Sequence, residues 1–143
     1  MSNQPIEFFF DFTCPYAYIA STRLEQFSVQ AERSLELSPV LLGGLFQALD
    51  QPQNMSTTLS LPKAENNRKE LVRWASWYNV PLRTPLRHPN RSVLALRTLL
   101  ACPRDSWGAV MASFYAVYWA EAGDLSDPAA LSARLDALGL RGE

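Results

Sequence analysis

The string Ile6–Phe12, IEFFFDF, is the feature that most constrains the fold. It is a short, nearly continuous apolar run rich in aromatics, which reads as a buried strand of the kind that parallel sheets use. Thr13-Cys14-Pro15 follows at once and opens a helix. Thr13 or Cys14 suits the N-cap. Pro15 suits the first helical position, where its missing N–H has no partner to lose. Ala20, Leu24, Phe27 and Ala31 keep one helical face, so a single helix is expected to run from Pro15 to about Ala31. Leu35–Leu42, LELSPVLL, is a second strand, and Pro39 puts it at an edge or ends it there. Strand, helix and strand in this order form a βαβ unit, with parallel strands and a right-handed crossover.

The pattern changes after Gly43-Gly44. Ala48–Ser60 is polar and reads as a long loop. Helices dominate from there. Pro62–Tyr78 is helical, with Leu71, Trp74, Ala75 and Tyr78 inward. Pro81, Pro85 and Pro89 make 79–89 an irregular connection. Asn90–Leu100 is helical, with Val93, Leu96, Leu99 and Leu100 on its apolar face. Asp105 or Ser106 caps a further helix carrying Trp107, Val110, Met111, Phe114, Val117 and Tyr118. Asp127-Pro128 starts the last helix and Gly139 stops it.

Composition narrows the function classes. The 143 residues are 48% hydrophobic and 19% charged, which excludes a disordered chain. The net charge of -1 argues against a nucleic-acid binder. No apolar run suits a membrane span and no signal peptide is visible, so a cytoplasmic location is expected. The two distant cysteines, Cys14 and Cys102, imply no disulfide framework. No Cys/His cluster suggests a metal site, and His88 is the only histidine. Residues 63–104 hold nine Lys and Arg against Glu65 and Glu70, between acidic ends. A cationic middle attracts small anions, although most such side chains are solvated helix faces.

Cys14 carries the chemistry. It lies at the C-terminal end of a buried strand and the N-terminus of a helix, the edge at which α/β sheets bind ligands. The helix start favours a thiolate or a bound anion and is expected to lower the thiol pKa. A small thiol that merely packs competes with this reading. Ala17 stands where a dithiol motif needs its second cysteine. One-thiol chemistry, or binding of another molecule's thiolate, remains.

FFFDFTCPYAYIASTRLEQF resembles the start of the glutathione-dependent 2-hydroxychromene-2-carboxylate isomerases and of the kappa-class glutathione transferases, within the DsbA-like group. The likeness continues through VLLGGLFQALDQPQN, PKAENNRKELVRWASWYNVPLRTP, HPNRSVLALR and FYAVYWAEAGDLSDPAALSARLDALGL. It implies an α/β fold: a thioredoxin-like βαβ unit, residues 1–46, with an inserted all-helical domain, residues 47–143. The final strands and helix of that fold are expected to be missing, which leaves an open sheet edge and points to a homodimer or to an inactive truncated form. The resemblance further implies glutathione as cofactor and a small aromatic carboxylate as substrate. Cys14 takes the place of the family's serine, whose hydroxyl hydrogen-bonds the glutathione thiol, with Pro15 and Tyr16 beside it. Gln51 or Asn54 fills the place of an asparagine in the glutathione-binding loop. Lys63 would face a glutathione carboxylate. Asn66 stands where the family has an aromatic. Arg91 would grip the substrate carboxylate, with His88 as its neighbour. The alternative activity is a one-thiol, glutaredoxin-like protein disulfide oxidoreductase, in which Cys14 is the nucleophile.

Overall fold

The computed structural model describes residues 4–52 and 55–140. Strand β1 (Ile6–Phe10) pairs in parallel with β2 (Leu35–Pro39), Ile6 opposite Leu35 and Phe10 opposite Pro39. Between them lie α1 (Pro15–Ser21) and α2 (Leu24–Ala31). Helix α3 (Leu42–Ala48) follows β2, and a 3-10 turn occupies Met55–Thr58. The rest is helical: α4 (Leu61–Trp77), α5 (Val93–Ala101), α6 (Trp107–Tyr115) and α7 (Pro128–Ala137). The α/β class and the βαβ start with parallel strands are as expected.

Local chemistry explains where the elements depart from the pattern of the sequence. The expected helix from Pro15 to Ala31 is broken after Ser21. There the Ser21 and Thr22 hydroxyls donate to the carbonyls of Tyr18 and Ile19, both at 2.7 Å. The N–H groups of Thr22 and Arg23 bond three residues back instead of four. Such side-chain bonds compete with the α-helical ladder. Strand β2 stops at Pro39, short of Leu42, with the Val40 N–H making the last bond to β1, at the Phe10 carbonyl, 2.8 Å. Leu42 then begins α3, a helix that Gly43-Gly44 hides in the sequence. Helix α5 begins at Val93 and not at Asn90, whose N–H donates to the Tyr118 hydroxyl at 2.9 Å. Its buried face is Ala95, Leu96 and Leu99, whereas Val93 and Leu100 are exposed.

One core cluster joins the βαβ unit to the helices. Phe10, Phe12, Tyr18 and Ile19 meet Val110, Phe114, Tyr115 and Trp119 in it. The Phe12 ring is fully buried and packs edge-on to Phe10, Phe114 and Tyr115, with centroids 5.6, 5.6 and 5.2 Å away. Phe9, on the opposite sheet face, is 59% exposed, so β1 is covered on one side among the described residues. The apolar run of β1 did not reveal this asymmetry, because Phe9 is as apolar as its buried neighbours.

Helix α6 does not end at Tyr115 but widens into a π-helical turn, Ala116–Ala120. The Glu121 N–H reaches back to the Ala116 carbonyl at 3.0 Å. The extra residue turns Trp119 inward together with Val117 and Tyr118, which the sequence pattern had placed inward with Phe114. A π turn of this kind is often found at functional sites. The chain then folds back so tightly that a Cβ on Gly123 would lie 2.9 Å from the Val117 carbonyl oxygen. Gly123→Ala is therefore expected to destabilise the protein by about 1–3 kcal/mol, measured by urea denaturation. An unchanged midpoint would count against the tight return.

Helix α7 keeps its sequence signals. The Asp127 carboxylate accepts the Ala129 N–H at 2.9 Å, and Pro128 takes the first turn. Gly139 adopts φ +72°, while the Leu140 N–H bonds the Leu135 carbonyl at 2.9 Å. This is the glycine-terminated helix end that the sequence implied.

Candidate functional site at the first strand–helix turn

The turn Asp11–Cys14 links β1 to α1. Its organiser is Asp11, only 2% exposed. One carboxylate oxygen accepts the Thr13 N–H at 3.0 Å and the Thr13 hydroxyl at 3.1 Å. The other accepts the Leu42 N–H, at the first residue of α3, at 2.8 Å. Helix α6 and its π turn hold the same segment by its carbonyls. The Tyr115 hydroxyl donates to the Asp11 carbonyl at 3.2 Å, and the Trp119 indole N–H donates to the Phe12 carbonyl at 2.9 Å.

Cys14 occupies the N-cap position of α1 with extended backbone, and its side chain makes no capping bond. Pro15 opens the helix as expected. The thiol is free and half-buried. Burial pushes its pKa up, and the negative charge of Asp11 adds to this. The N–H groups of Ala17 and Tyr16 pull the other way but are outweighed. The expected lowering by the helix start is thus reversed: desolvation disfavours the thiolate more than two aligned N–H groups favour it.

The other residues implicated by the sequence are spread around the turn. Tyr16 is partly exposed on α1. Gln51 is exposed, and its side-chain amide donates to the Leu49 carbonyl at 3.3 Å. Asn54 lies outside the described residues. Lys63 is exposed in the first turn of α4, and Arg91 is exposed before α5. No hydrogen bond or ion pair of the described residues joins Gln51, Lys63 or Arg91 to Cys14. Elsewhere in the cationic stretch, Arg68 hydrogen-bonds Glu65 and, with Lys69, holds its exposed carboxyl down at about 2. No group of three or more His, Cys, Asp or Glu among the described residues is placed to hold a metal ion. No described helix is long and apolar enough to cross a membrane.

His88 is linked to the turn indirectly. Its Nδ1 lies 3.0 Å from the Tyr118 hydroxyl and its ring packs 5.1 Å from Trp119, which bonds Phe12. Burial holds its pKa below the usual value. A histidine depressed on folding takes up its proton preferentially in the unfolded chain. Its contribution to stability is present above pH ~6.5 and is lost as pH falls toward the folded value. The melting temperature is therefore expected to fall more steeply below about pH 6.5 in the native protein than in His88→Gln. Parallel pH profiles would show the reasoning to be wrong.

Asp11, Tyr115 and Trp119 are the site residues that sequence reasoning passed over. A carboxylate inside an aromatic run is a signal for Asp11, because a buried charge needs partners. Buried Tyr and Trp also need partners for their polar tips, but nothing local says where these lie.

A family model for the DSBA-like thioredoxin domain matches residues 5–143. The chain belongs to the DSBA-like thioredoxin domain family. Among solved structures it is similar to a 2-hydroxychromene-2-carboxylate isomerase, at TM-score 0.76 and 21% sequence identity. The match covers 97% of this chain and 68% of the isomerase chain. No curated protein sequence matches. The family assigns the β1–α1 turn to a thioredoxin-like domain, and the isomerase shares the fold at nearly full length of this chain.

Proposed function

We propose that the protein is a glutathione-dependent isomerase of the 2-hydroxychromene-2-carboxylate isomerase type, acting on a small aromatic carboxylate. The observation that carries this reading is the place of Cys14, a free cysteine at the N-cap of α1 whose side chain makes no capping bond. Burial favours its protonated form, which is a hydrogen-bond donor. The likeness in fold to a 2-hydroxychromene-2-carboxylate isomerase supports the same reading.

Glutathione, when bound, supplies the thiolate that adds to the unsaturated substrate and later leaves. The chain's own residues fit that task by their chemistry. Cys14 donates its S–H toward a sulfur anion. Asp11, Tyr115 and Trp119 keep the turn that carries it rigid, so no reorganisation is needed as charge develops. Lys63 and Arg91, exposed cations, suit the carboxylates of glutathione and of the substrate.

Two measurements on the 143-residue chain test the proposal. The first is interconversion of 2-hydroxychromene-2-carboxylate with and without glutathione. Turnover is expected only with glutathione. Cys14→Ala should reduce it by about 100-fold, the usual effect of losing one anion-stabilising donor. Cys14→Ser should stay within about tenfold of the native rate, because it keeps a donor. The second is alkylation of Cys14 by iodoacetamide across pH. Its midpoint is expected above 9, the ordinary thiol value from which burial raises it. A near-neutral midpoint with a Cys14–glutathione mixed disulfide would instead establish the one-thiol oxidoreductase.

A further inference from the structure

A cleft of about 430 Å³ opens between the inner face of β2, the junction of α1 and α2, and the side of α6. It lies at the far end of the strands from the thiol. Leu35 pairs with Ile6 at the start of β1, whereas Cys14 follows its end and is not part of the lining. Leu24, Leu35, Leu37 and Met111 give the cleft apolar walls. Gly108, Ala112 and Ala116, four residues apart along α6 and its π turn, leave the space open. A Cβ on Gly108 would meet nothing within 4 Å. The polar side chains decide what the cleft can hold. Four hydroxyl-bearing residues line it, and each hydroxyl has already given its single proton to a carbonyl. Tyr18 donates to Pro81 at 2.8 Å, Ser21 to Tyr18 and Thr22 to Ile19 at 2.7 Å, and Tyr115 to Asp11 at 3.2 Å. The lone pairs left on these oxygens can only accept. Glu25 is the one charged residue of the lining, and its carboxylate is an acceptor as well. No ion pair of the described residues involves it. Arg104 reaches the Leu37 carbonyl from outside the lining, and its guanidinium lies over the Trp107 ring, 4.0 Å from the centroid. No side chain of the cleft therefore has a proton free to donate.

We propose that this cleft is a binding site for a small aliphatic ammonium compound. Its apolar body lies against Leu35, Leu37 and Met111, and its N–H groups meet Glu25 and the hydroxyl oxygens at the α1–α2 junction. The volume falls within the range of about 300–1,000 Å³ usual for small-molecule sites. Glu25 and Gly108 are exposed and mark the mouth, so the charged end stays partly hydrated while the chain is desolvated. A carboxylate is refused, because it brings further acceptors to a wall without a side-chain donor, and a desolvated acceptor without a donor costs free energy. The selected charge is opposite to that of the aromatic carboxylate in the isomerase reading, and the site does not rest on that reading.

The probe is octylamine, compared with octanoate and 1-octanol of the same chain length. Each is titrated calorimetrically into the full chain at neutral pH without glutathione. Saturable binding of octylamine is expected, at least about tenfold tighter than that of octanoate. Glu25→Gln should weaken octylamine about three- to fivefold, as suits a carboxylate at an exposed mouth, and leave 1-octanol within about twofold. Glu25 also stands in the first turn of α2, where a carboxylate suits the helix end, so this variant is read on the ratio of the two ligands and not on stability. Gly108→Leu should fill the cleft and abolish octylamine binding without lowering the melting temperature, because its Cβ has room and glycine is a poor helix residue. Cys14→Ala should change no affinity, which separates failure here from failure of the isomerase reading. Absence of saturable octylamine binding overturns the proposal, as does octanoate that binds as tightly as octylamine. So does a Gly108→Leu variant that binds octylamine normally, or loss of binding in Cys14→Ala. Sedimentation showing that the chain self-associates and that Gly108→Leu separates the copies would also overturn it, since the cleft would then be an interface between two chains.

Discussion

Shortening Phe12 to alanine is expected to lower the unfolding free energy by about 3–5 kcal/mol, the usual cost of deleting a buried aromatic ring. The ring is fully enclosed and touches three other aromatics, two of them on α6. Its neighbours are themselves pinned, because Tyr115 and Trp119 hydrogen-bond the carbonyls on either side of the Phe12 amide. The cavity therefore has little freedom to collapse, which places the change at the upper end of that range. Phe12→Leu keeps most of the volume and should cost less than half as much. Urea denaturation of the two variants checks this. Equal losses would mean that the site relaxes around the missing ring and that the clamp from α6 is weak.

Replacing Asp11 by asparagine is expected to cost about 2–4 kcal/mol, although the shape barely changes. The carboxylate accepts three donors, two on one oxygen and one on the other. An amide has a single acceptor oxygen, and its NH₂ would face either the Thr13 or the Leu42 N–H. One buried donor then loses its partner, and the bond that remains loses its charge assistance. Thr13→Val, which removes only the hydroxyl donor, should cost about 1 kcal/mol. The same Asp11→Asn variant carries a signature that a merely structural role would not produce. The negative charge of Asp11 helps to raise the Cys14 thiol. Its removal should shift the alkylation midpoint of Cys14 downward. A midpoint that stays put, with the fold intact, would show that burial alone governs the thiol.

The order of elements was legible in the sequence because it rests on local rules. IEFFFDF can hardly be anything but a strand, Pro15 and Pro128 can only open helices, and Gly139 takes the left-handed conformation that ends one. The place of Cys14 was legible for the same reason: a cysteine between a strand and a helix-opening proline falls at the N-cap of the helix, at the C-terminal edge of the strand. The charge state of that cysteine was not. It depends on how deeply the fold buries the sulfur and, to a lesser degree, on the negative charge of Asp11. Helix α3 was hidden because the Asp11 carboxylate that caps it lies 31 residues earlier. The widening at Ala116–Ala120 was hidden because a π turn keeps ordinary helical residues and changes only their register. Trp74 kept helical periodicity yet is 43% exposed, since periodicity reports a face and not what covers it. Backbone preferences act over a few residues and could be read directly. Burial, charge and hydrogen bonds between distant segments were decided only when the two halves of the chain packed together.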